Sequence, residues 1–432
     1  MIYNQPLDVL NEASFKRNAI AACLWEFFWA LGSPFCMLWT MIPSYLLLLD
    51  APRAVIQMTM SFFSLAVIFQ LFSANLFSNK HRKVLLLIVW CIFCACWLLY
   101  STLAILLWDH FSRSIFLLIF ILVCIILAIT LNIGTPPYIE MCVTNIPLKR
   151  RGLLAGMRSL STGIAGLIGI AFAYNFMKNT NSPHNFHFSM LIGPSIMFVS
   201  TFSLLLWKDN AANFISQGSG ISPVASIISL FKNINFRIFM FFYLFSLIAT
   251  SMVPMFISYA KDLLNFPSSR VTLFTAAYFL GPILGGIFFT PLADRYGFRL
   301  VAVISNILLM VAFLIPLILW QKTIPIIFAY ILYSCASSIM ATSSTNLASE
   351  IIKNLPPAMI FAVTNTIAMP VIIIISPLAG LLIDVFGNQA YIAVFTIGIV
   401  CSFTAMLGFR LLLREPRTGQ ELHIQINNLI YR

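Results

Sequence analysis

Three ionisable residues, Glu26, Glu140 and Arg158, lie well inside long apolar stretches of the sequence. If those stretches cross a membrane, each charge costs on the order of 3 kcal/mol to insert, so such residues are candidates for function. A lone buried carboxylate favours its protonated form, which makes Glu26 a candidate proton carrier. The structural alternatives are that Glu26 is held by Arg158, or that its side chain reaches back to the inner surface.

Two further patterns could bind a solute. Glu140 and Arg158 lie nine residues on either side of Lys149, so an antiparallel helical hairpin would place them at equal depth, about 10 Å from the turn. Such a pair either binds substrate or only fastens two helices. Trp25 and Trp29 are four residues apart and share one helix face, where they offer a stacking surface to a sugar or an aromatic solute. The alternative is that they face lipid or the membrane interface.

Other reactive side chains form no constellation of a known kind. The histidines are expected in loops or in the tail, so none is a candidate proton carrier: His81, His110, His184, His187 and His423. The nine cysteines lie inside or at the edges of apolar runs without an extramembrane C-x-x-C pair, so neither a metal site nor a cofactor is expected. No His-Asp or paired-acid group indicates an enzyme, and no phosphate-binding loop indicates an ATP-driven pump.

The elements that must position these residues are membrane-spanning helices. Apolar residues make up 60% of the chain, charged residues 9%, and the mean hydropathy is +0.96, which is typical of an integral membrane protein. A helix needs about 20 apolar residues to cross the hydrocarbon core. Twelve runs meet this requirement: 18–41, 54–77, 84–107, 115–141, 152–177, 188–207, 236–260, 271–291, 300–320, 324–349, 358–383 and 389–413.

The distribution of basic residues predicts the orientation of these helices. With the N-terminus in the cytoplasm, 18 of the 25 Lys and Arg residues fall inside and 6 fall outside, as the positive-inside rule requires. The prediction is an inner-membrane protein with both termini in the cytoplasm. A formal charge of +12 would suggest nucleic-acid binding in a soluble chain. Here the topology accounts for the charge, so lipid is the expected partner and nucleic acid is not.

The chain divides into two halves that resemble each other. A Glu-x6-Pro pattern occurs twice at an offset of 210, as Glu140 with Pro147 and as Glu350 with Pro357. Segments 74–83 and 290–299 correspond at a similar offset of 216, which indicates a parallel duplication. The longest connection contains a short amphipathic helix that begins near Ser222 and Pro223. The predicted organisation is a six-helix bundle at 1–207, a connector at 208–235, a second six-helix bundle at 236–414 and a cytoplasmic tail at 415–432.

Segment 290–299 carries a motif typical of one family. Asp294, Arg295, Gly297 and Arg299 match four positions of G-x-x-x-D-R-x-G-R-R/K, the inner-loop signature of the major facilitator superfamily, and the chain resembles that superfamily over its whole length. The segment departs from the signature at Thr290 and Phe298. The first-half copy keeps Arg82 and Lys83 but replaces other signature positions with Ala74, Ser78, Asn79 and His81.

The resemblance implies an all-α membrane protein of twelve transmembrane helices in two six-helix bundles. It also implies a secondary transporter that works as a monomer on a small organic solute, with a proton as the coupling ion. An uncoupled facilitator and a transport-inactive sensor of the same fold are the alternatives. The Glu140 and Arg158 pattern is similar to the substrate-binding pair of some sugar and proton symporters in the superfamily.

The inner-loop motif has a physical reason. A carboxylate near a helix N-terminus accepts hydrogen bonds from exposed N–H groups, and the following Arg can reach an acidic partner on a neighbouring helix. Such contacts would lock the cytoplasmic helix ends together. The candidate gating residues are Asp294, Arg295, Gly297, Arg299, Arg82, Lys83 and Glu350. The alternative is ordinary positive-inside charge beside a Gly turn.

Overall fold

The computed structural model describes residues 12–36, 41–76, 82–208, 223–264, 272–319, 323–352 and 354–416, and these residues form helices joined by short turns, without a β-strand. The helices are α1 Glu12–Gly32, α2 Met41–Leu48, α3 Arg53–Leu65, α4 Phe69–Leu76, α5 Arg82–Leu107, α6 Arg113–Thr144, α7 Arg151–Asn179, α8 His184–Leu206, α9 Pro223–Lys232, α10 Ile234–Ser251, α11 Pro254–Asp262, α12 Thr272–Leu284, α13 Leu292–Tyr296, α14 Phe298–Ile318, α15 Thr323–Ile351, α16 Pro357–Phe386 and α17 Ala390–Leu411.

Helices occupy all twelve positions that the hydropathy pattern predicts. In the described part of the chain, nine segments are long and apolar enough to cross a membrane, and one of them, Pro357–Leu411, contains both α16 and α17. Two shorter apolar helical segments, Ser61–Ala74 and Leu273–Phe289, cover the predicted second and eighth crossings. The chain is a multi-pass, all-α membrane protein.

The first crossing of each half is broken, which hydropathy did not indicate. The predicted helix 18–41 is α1, a 3-10 turn at Ser33–Cys36 and then α2. The predicted helix 236–260 is likewise interrupted between α10 and α11, which begins at Pro254. Proline lacks the N–H that continues a helix and clashes with the preceding turn. Pro34 lies inside the first break and Pro254 directly after the second, so the breaks repeat at corresponding places in the two halves.

Most buried apolar side chains fall into separate clusters for the two halves, and one small cluster of Ala30, Ala165 and Phe279 spans them. One cluster draws its buried members from residues between Phe15 and Trp207. Two others draw theirs from residues between Leu230 and Leu413, with Ala74 as the single first-half member. The boundaries of the two bundles stay a prediction, because residues 209–222 of the connector lie outside the described part. The connector helix appears as α9, which packs against α4, α10 and α16.

The two halves meet along two seams. In one seam α7 packs against α12 and the π-helical turn Gly285–Phe289 that follows it, and in the other α4 and α6 pack against α16. Gly156 and Gly286 face each other in the first seam. A Cβ built on Gly156 would lie 2.7 Å from the Gly286 carbonyl oxygen, and one built on Gly286 would lie 2.6 Å from the Gly156 oxygen. Only glycine allows the backbones to approach this closely.

We expect Gly286→Ala to destabilise this arrangement of the halves, because the added methyl group overlaps a backbone oxygen that cannot rotate away. Overpacking of this kind costs about 1–3 kcal/mol. The measurement is the melting temperature of the detergent-purified protein. Gly380→Ala in α16 is the matched control, since a Cβ there meets no atom within 4 Å. Equal melting temperatures for the two variants would contradict the close contact.

Candidate functional site

A cavity of about 560 Å³ lies between the two halves. The first half lines it with residues of α1, α6 and α7, and the second half with residues of α10, α12, α15 and α16. Glu26 and Arg158 both line the cavity. The wall opposite them carries hydroxyl and amide groups, which include those of Ser334, Ser337, Ser338, Thr342, Ser344, Thr345, Asn346 and Asn365.

Glu26 and Arg158 form an ion pair at the cavity wall. Both Nε and Nη2 of Arg158 donate to Oε1 of Glu26, the former at 3.0 Å. The hydroxyl of Tyr138 donates to the same oxygen at 3.2 Å, and the hydroxyl of Thr162 donates to Oε2 at 3.3 Å. The Arg158 guanidinium also lies over the Tyr138 ring, 5.1 Å from its centroid.

The environment of this pair keeps it accessible. The side chains of Arg158 and Glu26 are 22% and 18% exposed, so both can meet a solute in the cavity while their apolar stems remain packed. Among the hydrogen bonds that Glu26 accepts, the charge-assisted bonds from arginine are the strongest.

The expected pair between Glu140 and Arg158 does not form. Glu140 instead binds Arg82, with Oε1 2.7 Å from Nη1, and the two side chains are only 7% and 4% exposed. The prediction of a pair across the α6–α7 hairpin is wrong because the two helices diverge after their short connection. The main neighbours of α6 are α5 and α4, whereas those of α7 are α1 and α12. Arg82 is therefore a buried partner inside the first half, where the sequence suggested a gating contact.

Trp25 and Trp29 pack against other aromatic rings. Trp25 is 4% exposed, and its ring lies 5.9 Å from that of Trp29, 5.2 Å from Trp90 and 5.4 Å from Tyr138. Trp29 also contacts Phe93 at a centroid distance of 5.3 Å. In this arrangement the Trp25 ring packs against Tyr138 and is itself covered by protein, whereas Trp29 is half-buried.

A buried polar cluster surrounds His187. The sequence did not predict it, because His187 was expected in a loop. The residue lies in the first turn of α8 and is fully buried. Its Nε2 is 3.2 Å from the hydroxyl of Tyr45, which is 2.8 Å from the hydroxyl of Tyr100. The ring also packs against Trp108 at 4.7 Å. The sequence signal that would have indicated this cluster is the alternation of polar and aromatic residues just before the sixth apolar run.

Asp294 connects the two halves at one end of the bundle. Its Oδ1 accepts from the N–H of Gly152 at 2.7 Å, and its Oδ2 accepts from the N–H of Leu153 at 2.6 Å. These groups belong to the first turn of α7, where N–H donors lack helical partners and the helix dipole attracts negative charge. We call this contact the inner latch, because the positive-inside rule predicts that this end of the bundle faces the cytoplasm.

The other candidate gating residues make contacts of their own. Arg295 lies over the Tyr296 ring at 5.1 Å, and among the described residues no carboxylate lies within ion-pair distance of it. Gly297 has φ +85°, a conformation that side chains disfavour. Arg299 donates to the Leu413 carbonyl at 2.9 Å. Lys83 donates to the carbonyls of Leu205 and Trp207, and Glu350 is buried near the end of α15.

Comparison with known proteins agrees with this architecture. The sequence model described as Major Facilitator Superfamily matches residues 239–426. This match lies in the second half of the chain. Curated protein sequences gave no significant match to the chain.

Solved structures of superfamily members share the fold across both halves. The E. coli fucose:proton symporter FucP in its outward conformation has a TM-score of 0.71 at 17% identity, covering 91% of this chain and 97% of FucP. The proton:xylose symporter XylE has a TM-score of 0.70 at 12% identity, with 94% and 97% covered. The human organic anion transporter MFSD10 has a TM-score of 0.66 at 12% identity, with 90% and 99% covered.

We expect the two ion pairs to respond differently to neutralisation. Glu140→Gln leaves the Arg82 charge buried without its carboxylate, a change that costs about 3–5 kcal/mol. Glu26→Gln leaves Arg158 at a cavity wall, where water solvates it, so the loss of stability is smaller. The measurement is the fraction of each protein that remains monodisperse during gel filtration after heating. Equal survival of the two variants would contradict the assignment of Glu140 as structural and Glu26 as cavity-facing.

Proposed function

We propose that this protein is a secondary active transporter that moves a small polar organic solute across the membrane by alternating access, coupled to a proton. The observation that carries the proposal is the Glu26–Arg158 ion pair at the wall of a cavity shared by both halves. Charged side chains cost free energy to insert into a membrane, so an ion pair that lines an intramembrane cavity is a candidate for solute binding or proton coupling. The proposed orientation has both termini in the cytoplasm and the protein in the inner membrane.

The cavity wall supports a solute rich in hydroxyl groups. The second-half surface offers hydroxyl and amide groups that donate and accept hydrogen bonds, and its described lining residues carry no charge. Arg158 can donate from several N–H groups in a fixed plane. The two symporters with the same fold are named for fucose and xylose. A sugar or a related polyol is therefore the proposed cargo.

The hydrogen bonds of Glu26 support proton coupling in this proposal. When a proton adds to a carboxylate oxygen, the charge that holds Arg158 is lost and the guanidinium can turn to the solute. When the solute leaves, Arg158 returns to Glu26 and favours release of the proton. The proton and the solute thereby interact through Arg158, which gives a coupling free energy between the two sites.

The inner latch supports alternating access. Asp294 holds the second half to the first turn of α7, and the glycine seam at Gly156 and Gly286 lies one turn further along. Separation of the inner ends requires both contacts to change. In the proposed cycle, a closed latch corresponds to a state whose inner end is shut.

An uncoupled facilitator is the second candidate. The hydrogen bonds that Glu26 accepts from Arg158, Tyr138 and Thr162 favour it, because they hold the carboxylate in place without a role for a proton. In that case Glu26 would serve only to orient Arg158.

We expect Glu26→Gln to abolish proton-coupled accumulation while preserving exchange. The test is pH-gradient-driven uptake of radiolabelled fucose and xylose into proteoliposomes, with equilibrium exchange measured in parallel. Asp50→Asn is the control, because Asp50 is an exposed carboxylate, 70% accessible and paired with Arg113 outside the cavity. Uptake without proton movement, equal in wild type and variant, would support the facilitator and count against coupling by Glu26.

We expect Asp294→Asn to open the inner end more often, because the amide loses the charge and one of the two acceptor oxygens that bind α7. Cys142 lines the cavity and serves as the reporter. The measurement is its rate of modification by a membrane-impermeant thiol reagent applied to the cytoplasmic side, resolved by peptide mass spectrometry. Unchanged labelling relative to wild type would show that the latch does not control access.

A further inference from the structure

A chain of three side-chain amides crosses from the interior of the first half to the cavity. Asn132 Nδ2 donates to the carbonyl oxygens of Ala128 at 2.9 Å and Phe63 at 3.3 Å. Gln70 Nε2 donates to Asn132 Oδ1 at 2.8 Å. Asn365 Nδ2, from the second half, donates to Gln70 Oε1 at 3.1 Å. Gln70 and Asn132 are buried, and Asn365 lines the cavity.

The buried end of this chain of amides determines which group donates and which accepts in each of its hydrogen bonds. Carbonyl oxygens only accept, so the Asn132 atom that faces Ala128 and Phe63 must be its nitrogen. Asn132 therefore turns its oxygen to Gln70 and requires the Gln70 nitrogen. Gln70 in turn faces Asn365 with its oxygen and requires the Asn365 nitrogen. Reversal of any one amide would bring two donors or two acceptors together in a buried site.

This order of donors and acceptors also determines the orientation of the Asn365 amide beside the cavity. Because the nitrogen of Asn365 is committed to Gln70, its oxygen occupies the other side of the amide. We propose that Asn365 presents this oxygen to the cavity as an acceptor for a hydroxyl or N–H group of the solute, and that Gln70 and Asn132 are positioning residues that impose the orientation. The inference rests on the proposed transport function and identifies one determinant of specificity within it.

The chain also links solute binding to the position of the halves. Gln70 lies on α4 and Asn365 on α16, and these helices form one of the two seams between the halves. Movement of the halves that separates α4 from α16 breaks the bond between Gln70 and Asn365. The Asn365 amide is then free to rotate, the acceptor is no longer held toward the cavity, and the affinity for the solute falls. Release of the solute is thereby favoured in the state in which the seam opens.

The test is a double-mutant cycle on uptake of fucose and xylose in proteoliposomes. Asn365→Leu removes the acceptor, and we expect KM to rise about tenfold, the effect of losing one hydrogen bond of about 1.4 kcal/mol. Gln70→Leu removes only the positioning contact and should raise KM several-fold with little change in kcat. The double variant should be no worse than Asn365→Leu. Ser73→Ala is the matched control, since it removes a hydrogen bond from the same helix to the Ile133 carbonyl without touching the amide chain, and it should retain a KM near that of wild type.

A second measurement separates an acceptor from a packing residue. Monofluorinated analogues of each sugar replace one hydroxyl donor by a group that cannot donate. Competition by one such analogue should be weakened in wild type, and Asn365→Leu should lose this discrimination. Additive effects of Gln70→Leu and Asn365→Leu, or a fall in kcat with KM unchanged, would overturn the inference while leaving the transport function intact. Absence of wild-type transport of both sugars would overturn the sugar assignment and with it this inference.

Discussion

Hydrocarbon offers no hydrogen-bond partner, so each polar group that this chain carries into the membrane must find its partner in the chain or in a cavity. Helices meet that requirement for the backbone. Side chains meet it by pairing across helices, and those pairs determine which helices become neighbours. Arg82 with Glu140 joins α5 to α6, Glu26 with Arg158 and Thr162 joins α1 to α7, and Asn365 with Gln70 joins the two halves.

The same chemistry gives different outcomes at the two buried ion pairs because their surroundings differ. Arg82 and Glu140 are almost completely enclosed, so neither can exchange partners without a large desolvation penalty. Arg158 and Glu26 border the cavity, where water or a solute can replace either partner. A fixed pair suits a fastening role, and a pair that can exchange partners suits coupling between a proton and a solute. The position of each ion pair relative to the cavity therefore decides which of the two roles it suits.

The sequence predicted the positions of the crossings well because the required length of apolar helix is set by the membrane. It also selected Asp294, Glu26 and Arg158 as candidates, because charge in or beside a membrane is rare, and their roles stay predictions. It failed where three-dimensional packing decides. The equal depth of Glu140 and Arg158 held no information on the lateral direction of their helices. The burial of His187 depended on Tyr45 and Tyr100, which are distant in sequence.

The arrangement along α7 shows how events at the cavity could reach the inner end. Gly152 and Leu153 donate to Asp294, Gly156 meets Gly286, and Arg158 and Thr162 hold Glu26. All of these lie within three turns of one helix, about 15 Å at a rise of 1.5 Å per residue. A helix this short behaves as a rigid body, so a change of partner at Arg158 that tilts α7 also displaces the donors of the inner latch. The glycine contact between Gly156 and Gly286 lies on the same stretch of α7, so separation of the inner ends must change it as well as the inner latch.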